Sequence, residues 1–230
     1  MTPLEIVLVS VVGALVIVVI LYLLILKVNT RNHLETFKIL NENAKLHANV
    51  FFGDSLTDFF PVQDFFPLET IYNRGIAGDT TSDLLKRIEN IVELQPSKVF
   101  VQIGTNDLGK FRSPKHVIKN IEKIYQVLLK EVPNVTIVAI SLYPISRRKM
   151  WLSPIIVGIR SNKQIRKTNE MLKELTAKYN IPYLDMYTPL SDTKGRMNKA
   201  YTLEGLHISG VGYQVIAKEI TNCFVDCSRR

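Results

Sequence analysis

The sequence predicts an α/β domain built on a parallel sheet with helices on both faces, preceded by a separate hydrophobic helix. Three observations predict it. Short runs of β-forming residues alternate with amphipathic helical patterns along most of the chain. A charge-free stretch of 21 residues, positions 6–26, stands apart from that alternation. The 230 residues are 47% hydrophobic and 22% charged with 2 Cys, a balance that excludes a disordered chain, a collagen-like fibre and a disulfide-stapled miniprotein.

At ~1.5 Å rise per residue, the stretch 6–26 is long enough for a hydrocarbon core of ~30 Å. Only Glu5 precedes it as a charged side chain, and no small-residue cleavage pattern follows it. It is therefore expected to be a retained transmembrane anchor, giving an anchor at 1–26, a helical juxtamembrane stalk at 27–47 and a folded domain at 48–230. Lys27, Arg31 and Lys38 follow the span. This charge balance favours a single-pass membrane protein with its domain in the cytoplasm, and an extracellular domain is the alternative.

Leu34, Phe37, Leu40 and Ala44 give the stalk its helical spacing. Strand-like runs follow at 48–52, 70–72, 98–103, 135–140 and 182–184, five in all. Between them, Leu84, Leu85, Ile88, Ile91 and Val92 mark a helix that Asp79 or Thr80 can cap. Val117, Ile121, Ile124 and Leu128 mark a second, with Ser113-Pro114 as its start. Ile165, Asn169, Leu172 and Leu175 mark a third, and Val215, Ile216, Ile220, Cys223 and Phe224 the last. Cys223 and Cys227, four apart on that helix, are poorly placed for a disulfide.

Ligands of open α/β sheets bind beyond the carboxyl ends of the strands, so the loops after each strand come first. They read Gly53-Asp54-Ser55-Leu56, Asn73-Arg74-Gly75-Ile76-Ala77-Gly78-Asp79-Thr80, and Gly104-Thr105-Asn106-Asp107; Glu204-Gly205-Leu206-His207 precedes the last helix. Together they hold the parts of an acyl-transfer site. Ser55 is a hydroxyl nucleophile and His207 a base for its proton. Glu204, three residues before the histidine, is a carboxylate that can orient the imidazole. The N–H groups of Ser55 and Gly78 and the Asn106 amide can donate to an oxyanion. Asp54 and Asp107 read as braces for their loops, and Asn73 as a support residue.

Other features point elsewhere. Residues 104–111 nearly fit a phosphate-binding loop, but Phe111 stands where the magnesium-binding hydroxyl belongs. Arg147, Arg148, Lys149, Arg160, Lys163, Arg166 and Lys167 form a basic region, read as a solvated face or as a site for an anionic lipid or glycan. Nucleic acid is not expected there, because aromatic residues are not interleaved with the charges. The segment 146–161, with Met150, Trp151 and Ile155, is long for a loop and is a candidate acyl-binding wall or lid.

The four motif loops, in this order, resemble those of the SGNH/GDSL hydrolases. The settings Gly78-Asp79-Thr80-Thr81 and His207-Ile208-Ser209 are similar to bacterial relatives of the platelet-activating factor acetylhydrolase catalytic subunits. The resemblance implies a flavodoxin-like three-layer α/β/α sandwich with a five-stranded parallel sheet, and ester hydrolysis without metal or other cofactor. It implies catalysis by Ser55 and His207, with Ser55, Gly78 and Asn106 as the oxyanion hole. Where the family has Asp, this chain has Glu204. Either Glu204 reaches the imidazole, or it faces solvent and a backbone carbonyl orients His207. The expected activity is that of a membrane-anchored serine esterase acting on short-chain esters. A lipid acylhydrolase of lysophospholipase or thioesterase type, and a tethered binding protein without activity, are the alternatives.

Overall fold

The computed structural model describes residues 2–227; the side chains at 15, 19, 22, 23, 26, 27, 29, 30 and 222–227 lie outside that description. The expectations for Cys223, Phe224 and Cys227 therefore fall outside the described side chains. The chain divides into two compact units, Met1–Asn43 and Ala44–Arg230.

The first unit is one helix, α1, Pro3–Glu42. Thr2 caps it: its hydroxyl accepts from Glu5 N, and Glu5 reaches back to Thr2 N at 2.8 Å. The transmembrane anchor expected at 6–26 is overturned, because among the described residues no helix is long and apolar enough to cross a membrane. The apolar run is the front of a continuous helix that goes on through the exposed Arg31–Glu35 ion pair at 2.9 Å. The expected membrane localisation, its sidedness and the membrane as a partner fall with the anchor.

The second unit runs β1 (Asn49–Gly53), α2 (Ser55–Asp58), α3 (Val62–Phe65), β2 (Ile71–Gly75), α4 (Thr81–Lys86), α5 (Glu89–Val92), β3 (Lys98–Gln102), α6 (Thr105–Gly109), α7 (Pro114–Glu131), β4 (Thr136–Ile140), α8 (Ser153–Val157), α9 (Asn162–Lys178), β5 (Tyr183–Leu184) and α10 (Gly210–Cys227). The five strands are parallel, in the order β2-β1-β3-β4-β5. The chain leaves β1 for β2 on one side, then crosses back to β3 on the other side of β1. That reversal opens a crevice at the carboxyl ends of these strands.

Period-two alternation fills a core on each face of the sheet. Val50, Phe52, Val99, Val101, Ile137 and Ala139 join the core under α4, α5, α7 and α9. Phe51, Phe100, Val138 and Ile140 join the core with Tyr213, Ile216 and Ile220 of α10. Each large apolar side chain so buried contributes ~1.5–3 kcal/mol. Phe51 stacks on Phe100 with ring centroids 4.5 Å apart, which ties β1 to β3 on the α10 side.

Register carries the motif loops to one edge. Gly53 pairs with Gly75 of β2 and with Gln102 of β3, so the three chains leave the sheet side by side. The single helix expected through Leu84–Val92 is split into α4 and α5. Arg87 leaves helical geometry at φ −118° and sends its guanidinium inward, where Nη2 donates to Gly53 O at 3.0 Å.

Candidate active site

Ser55 opens α2, immediately after β1. Asp54 caps that turn, its Oδ1 accepting from Leu56 N at 3.0 Å. The turn is held from two sides. Tyr213 OH of α10 donates to Leu56 O at 3.1 Å, and Asn73 Nδ2 of β2 donates to Thr57 O at 2.7 Å and Phe60 O at 3.0 Å. Ser55 is buried, and its placement follows from these anchors.

His207 Nε2 lies 3.2 Å from Ser55 Oγ. His207 Nδ1 is hydrogen-bonded to Glu204 Oε1, which also accepts the His207 backbone N–H at 3.2 Å. A carboxylate only accepts, so a proton on Nδ1 satisfies this pair and leaves the Nε2 lone pair for Ser55 Oγ. Of the two sequence alternatives, Glu204 on the imidazole is the arrangement found; its side chain is 12% exposed, against 28% for His207. The loop itself is stitched by Thr202 Oγ1 donating to His207 O at 2.7 Å and Gly205 N donating to Thr202 Oγ1 at 2.8 Å. Ser146 N donates to Gly205 O at 2.8 Å, fastening the loop to the chain after β4.

The expected oxyanion donors follow β1, β2 and β3: Ser55 opens α2, Gly78 lies in the loop after β2, and Asn106 lies in the first turn of α6. Gly78 has φ +86°, a conformation L side chains rarely adopt, and no heavy atom lies within 4 Å of where a Cβ would stand. Among the described residues, neither the Ser55 N–H nor the Gly78 N–H is donated to an acceptor of the chain. Asn106 Nδ2 donates to Asp79 O at 2.9 Å, while Asn106 Oδ1 accepts from Arg160 Nη2 at 2.9 Å.

Behind these loops sits a buried polar frame. Asp79 pairs with Arg87 Nε at 2.7 Å, and Arg87 Nη1 donates to Arg74 O at 2.8 Å. Asp107 Oδ1 and Oδ2 accept from the hydroxyl and N–H of Thr81 at 2.7 and 2.9 Å, and Asn120 donates to the same hydroxyl at 2.9 Å. Asp54, Asp107 and Asn73 thus brace the loops. Arg87 and Arg160 complete the frame, and sequence reasoning missed both. An arginine in a helical pattern or a basic run carries no local sign that it will turn inward.

Burial pushes the Asp54 carboxyl up to about 7; Asp79 and Asp107 add to the rise, and the Leu56 N–H and Arg160 oppose it. Asp54 is fully buried, and its Oδ2 has no hydrogen-bond partner among the described residues. Its folded-state pKa lies above the unfolded value, so the folded chain binds more protons between them. Stability from this group is full below pH ~4 and is lost as pH rises through ~7, by at most about 4 kcal/mol. Burial raises Asp79 in the same direction, to about 6, against Arg87. Asp54→Asn mimics the neutral acid and is expected to flatten the pH dependence of Tm between pH 4 and 8; an unchanged slope in a thermal melt series would show that Asp54 ionises freely.

The basic region at 147–167 gives no support to an anionic lipid site. Arg147 donates to Gly158 O and Arg160 O, Lys149 to Lys199 O, and Arg166 to Tyr187 OH. Each of these three side chains has a hydrogen-bond acceptor within the chain. Apolar surface lies nearer the reacting pair: Phe59, half-exposed, sits with its ring centroid 5.5 Å from that of His207, and Leu203 N donates to His207 O at 3.0 Å.

Residues 51–215 match the model of the GDSL-like lipase/acylhydrolase family. A solved structure from Streptococcus pneumonia, provisionally assigned as a platelet activating factor, superposes with a TM-score of 0.81 at 30% identity, covering 90% of this chain and 98% of that one. The platelet-activating factor acetylhydrolase IB subunit alpha1 of Bos taurus is 27% identical over 179 residues, 74% of this chain and 72% of that protein. The N-acylneuraminate cytidylyltransferase of Streptococcus agalactiae serotype V is 28% identical over 142 residues, 62% of this chain and 32% of that protein. The chain thus spans about a third of the length of that relative.

Proposed function

This chain belongs to the GDSL-like lipase/acylhydrolase family; from that premise we propose that it is an ester-bond hydrolase, a serine esterase of short-chain carboxylic esters working through an acyl-enzyme on Ser55. The observation that carries the reading is the continuous contact from Ser55 Oγ through the His207 ring to Glu204.

Ser55 Oγ attacks the acyl carbonyl carbon as its proton passes to His207 Nε2. Glu204 holds the Nδ1–H and stabilises the imidazolium that forms. The carbonyl oxygen becomes an oxyanion, held by the N–H groups of Ser55 and Gly78 and by Asn106 Nδ2. The tetrahedral centre collapses, the carbon–oxygen bond to the alcohol breaks, and His207 returns the proton to the leaving oxygen. Water then repeats the sequence on the acyl-Ser55 ester, releasing the acid and restoring the hydroxyl.

Short acyl groups are favoured because the acetylhydrolase relative is named for acetyl removal. Phe59 beside His207 offers apolar surface within reach of a bound ester of any chain length. The test is a p-nitrophenyl ester series on the full chain. Saturable turnover with kcat/KM highest for acetyl or butyryl and falling toward decanoyl is expected; a maximum at decanoyl would overturn the short-chain assignment, and no turnover with any ester would overturn the esterase.

A further inference from the structure

Arg160 lies outside all four motif loops, between α8 and α9. Its guanidinium is turned inward and makes three hydrogen bonds. Nε donates to Thr105 O at 2.9 Å, Nη2 to Asn106 Oδ1 at 2.9 Å, and Nη1 to Val157 O at 3.1 Å. It approaches Gly109 so closely that a Cβ there would stand 2.4 Å from Arg160 Cζ, so a side chain at that position would push the guanidinium aside. Arg147 Nη2 in turn donates to Arg160 O at 3.0 Å and anchors its backbone.

An amide has an acceptor end and a donor end. At Asn106 a cation occupies the acceptor end and the Asp79 carbonyl occupies one of the two N–H positions. Turning the amide over would set its NH2 against the guanidinium and its oxygen against a carbonyl, two repulsive contacts in place of two hydrogen bonds. A charged donor on Oδ1 also draws electron density from the amide nitrogen and strengthens the remaining N–H as a donor. We propose that Arg160 is a positioning residue of the oxyanion hole, fixing the orientation of the Asn106 amide and polarising it toward the developing oxyanion. This rests on the reading of Asn106 as an oxyanion donor. A bland role exists beside it: the same contacts tie the α8 segment to α6, and a mere tether would not act through Asn106.

A double-mutant cycle separates the two. Hydrolysis of p-nitrophenyl acetate is measured for the full chain with Arg160→Met, with Asn106→Ala and with both. Asn106→Ala is expected to lower kcat by ~10²–10³. Arg160→Met is expected to lower kcat by ~10–100-fold with KM within about twofold, the scale of losing a residue that orients a functional group. In the Asn106→Ala background the same change is expected to cost no more than about twofold, because the group it orients is gone. If the Met variant does not fold, Arg160→Lys carries the same cycle, with a smaller loss in the first arm and none in the second. Equal losses in both backgrounds, or a change confined to KM, would overturn the role of Arg160 while leaving the esterase reading intact. An Asn106→Ala variant with wild-type kcat would overturn the oxyanion reading of Asn106 and the role of Arg160 with it.

Discussion

Ser55→Ala is expected to lower ester turnover by roughly 10⁴-fold or more while the domain stays folded. The size follows from the arrangement of the parts. Removing Oγ removes the only atom that bonds to the acyl carbon, and His207 and Glu204 then have no proton to move. The donors of the oxyanion hole remain, so a residual rate over water is retained, as when one member of a triad is deleted. The fold should hold because α2 is anchored by Asp54, Asn73 and Tyr213 rather than by the Ser55 hydroxyl. A fluorophosphonate probe should label the wild-type chain and spare the variant. Equal labelling of both would move the nucleophile to another residue.

Glu204→Gln is expected to be the second largest loss, about 10³–10⁴ in kcat, on the scale of removing the charge from a triad acid. Glutamine keeps the length of the side chain but carries no charge to stabilise an imidazolium. Its NH2 end also favours the wrong imidazole tautomer, with the proton on Nε2 facing Ser55 Oγ. The same Oε1 accepts the His207 backbone N–H at 3.2 Å, so a carboxylate here serves both the ring and the turn. Glu204→Asp keeps the charge and should retain more activity than the Gln variant. The measurement is kcat/KM for both beside His207→Ala. A Gln variant within about threefold of wild type, roughly 0.65 kcal/mol in barrier, would remove Glu204 from the mechanism.

The legible part of this site was its chemistry by residue type. Ser55, Gly78, Asn106 and His207 each stand in a motif that follows a strand or precedes a helix, and local signals of turn and periodicity are enough to find such motifs. Arg160 was not legible. In the sequence it is one of seven cations between Arg147 and Lys167, a run that ordinarily marks a solvated face. Arg87 sits within a helical apolar pattern and reads as the exposed side of a helix. Both are instead drawn inward to carbonyls and an amide far away in the chain, with Gly53 O 34 residues from Arg87 and Asn106 Oδ1 54 residues from Arg160. The residues 6–26 show the opposite error. A hydropathy pattern that looks like a membrane span belongs to α1, which does not meet the requirement for one among the described residues.

What the sequence by itself determined was the set of elements and the reactive residue types. Five short β-forming runs separated by amphipathic helices admit little besides a parallel sheet covered on both faces, because strands buried on both sides need apolar residues in both registers. Only the tertiary structure decided which loops become neighbours. The order β2-β1-β3-β4-β5 brings the ends of β1, β2 and β3 together, and α10 and its preceding loop return His207 to a serine 152 residues earlier. It also decided that Glu204 meets the imidazole and that Arg160 meets Asn106. Local periodicity reports which face of an element is apolar. It does not report which distant carbonyl or amide a charged side chain will find, because that partner exists only after the sheet has assembled and removed water from around both groups.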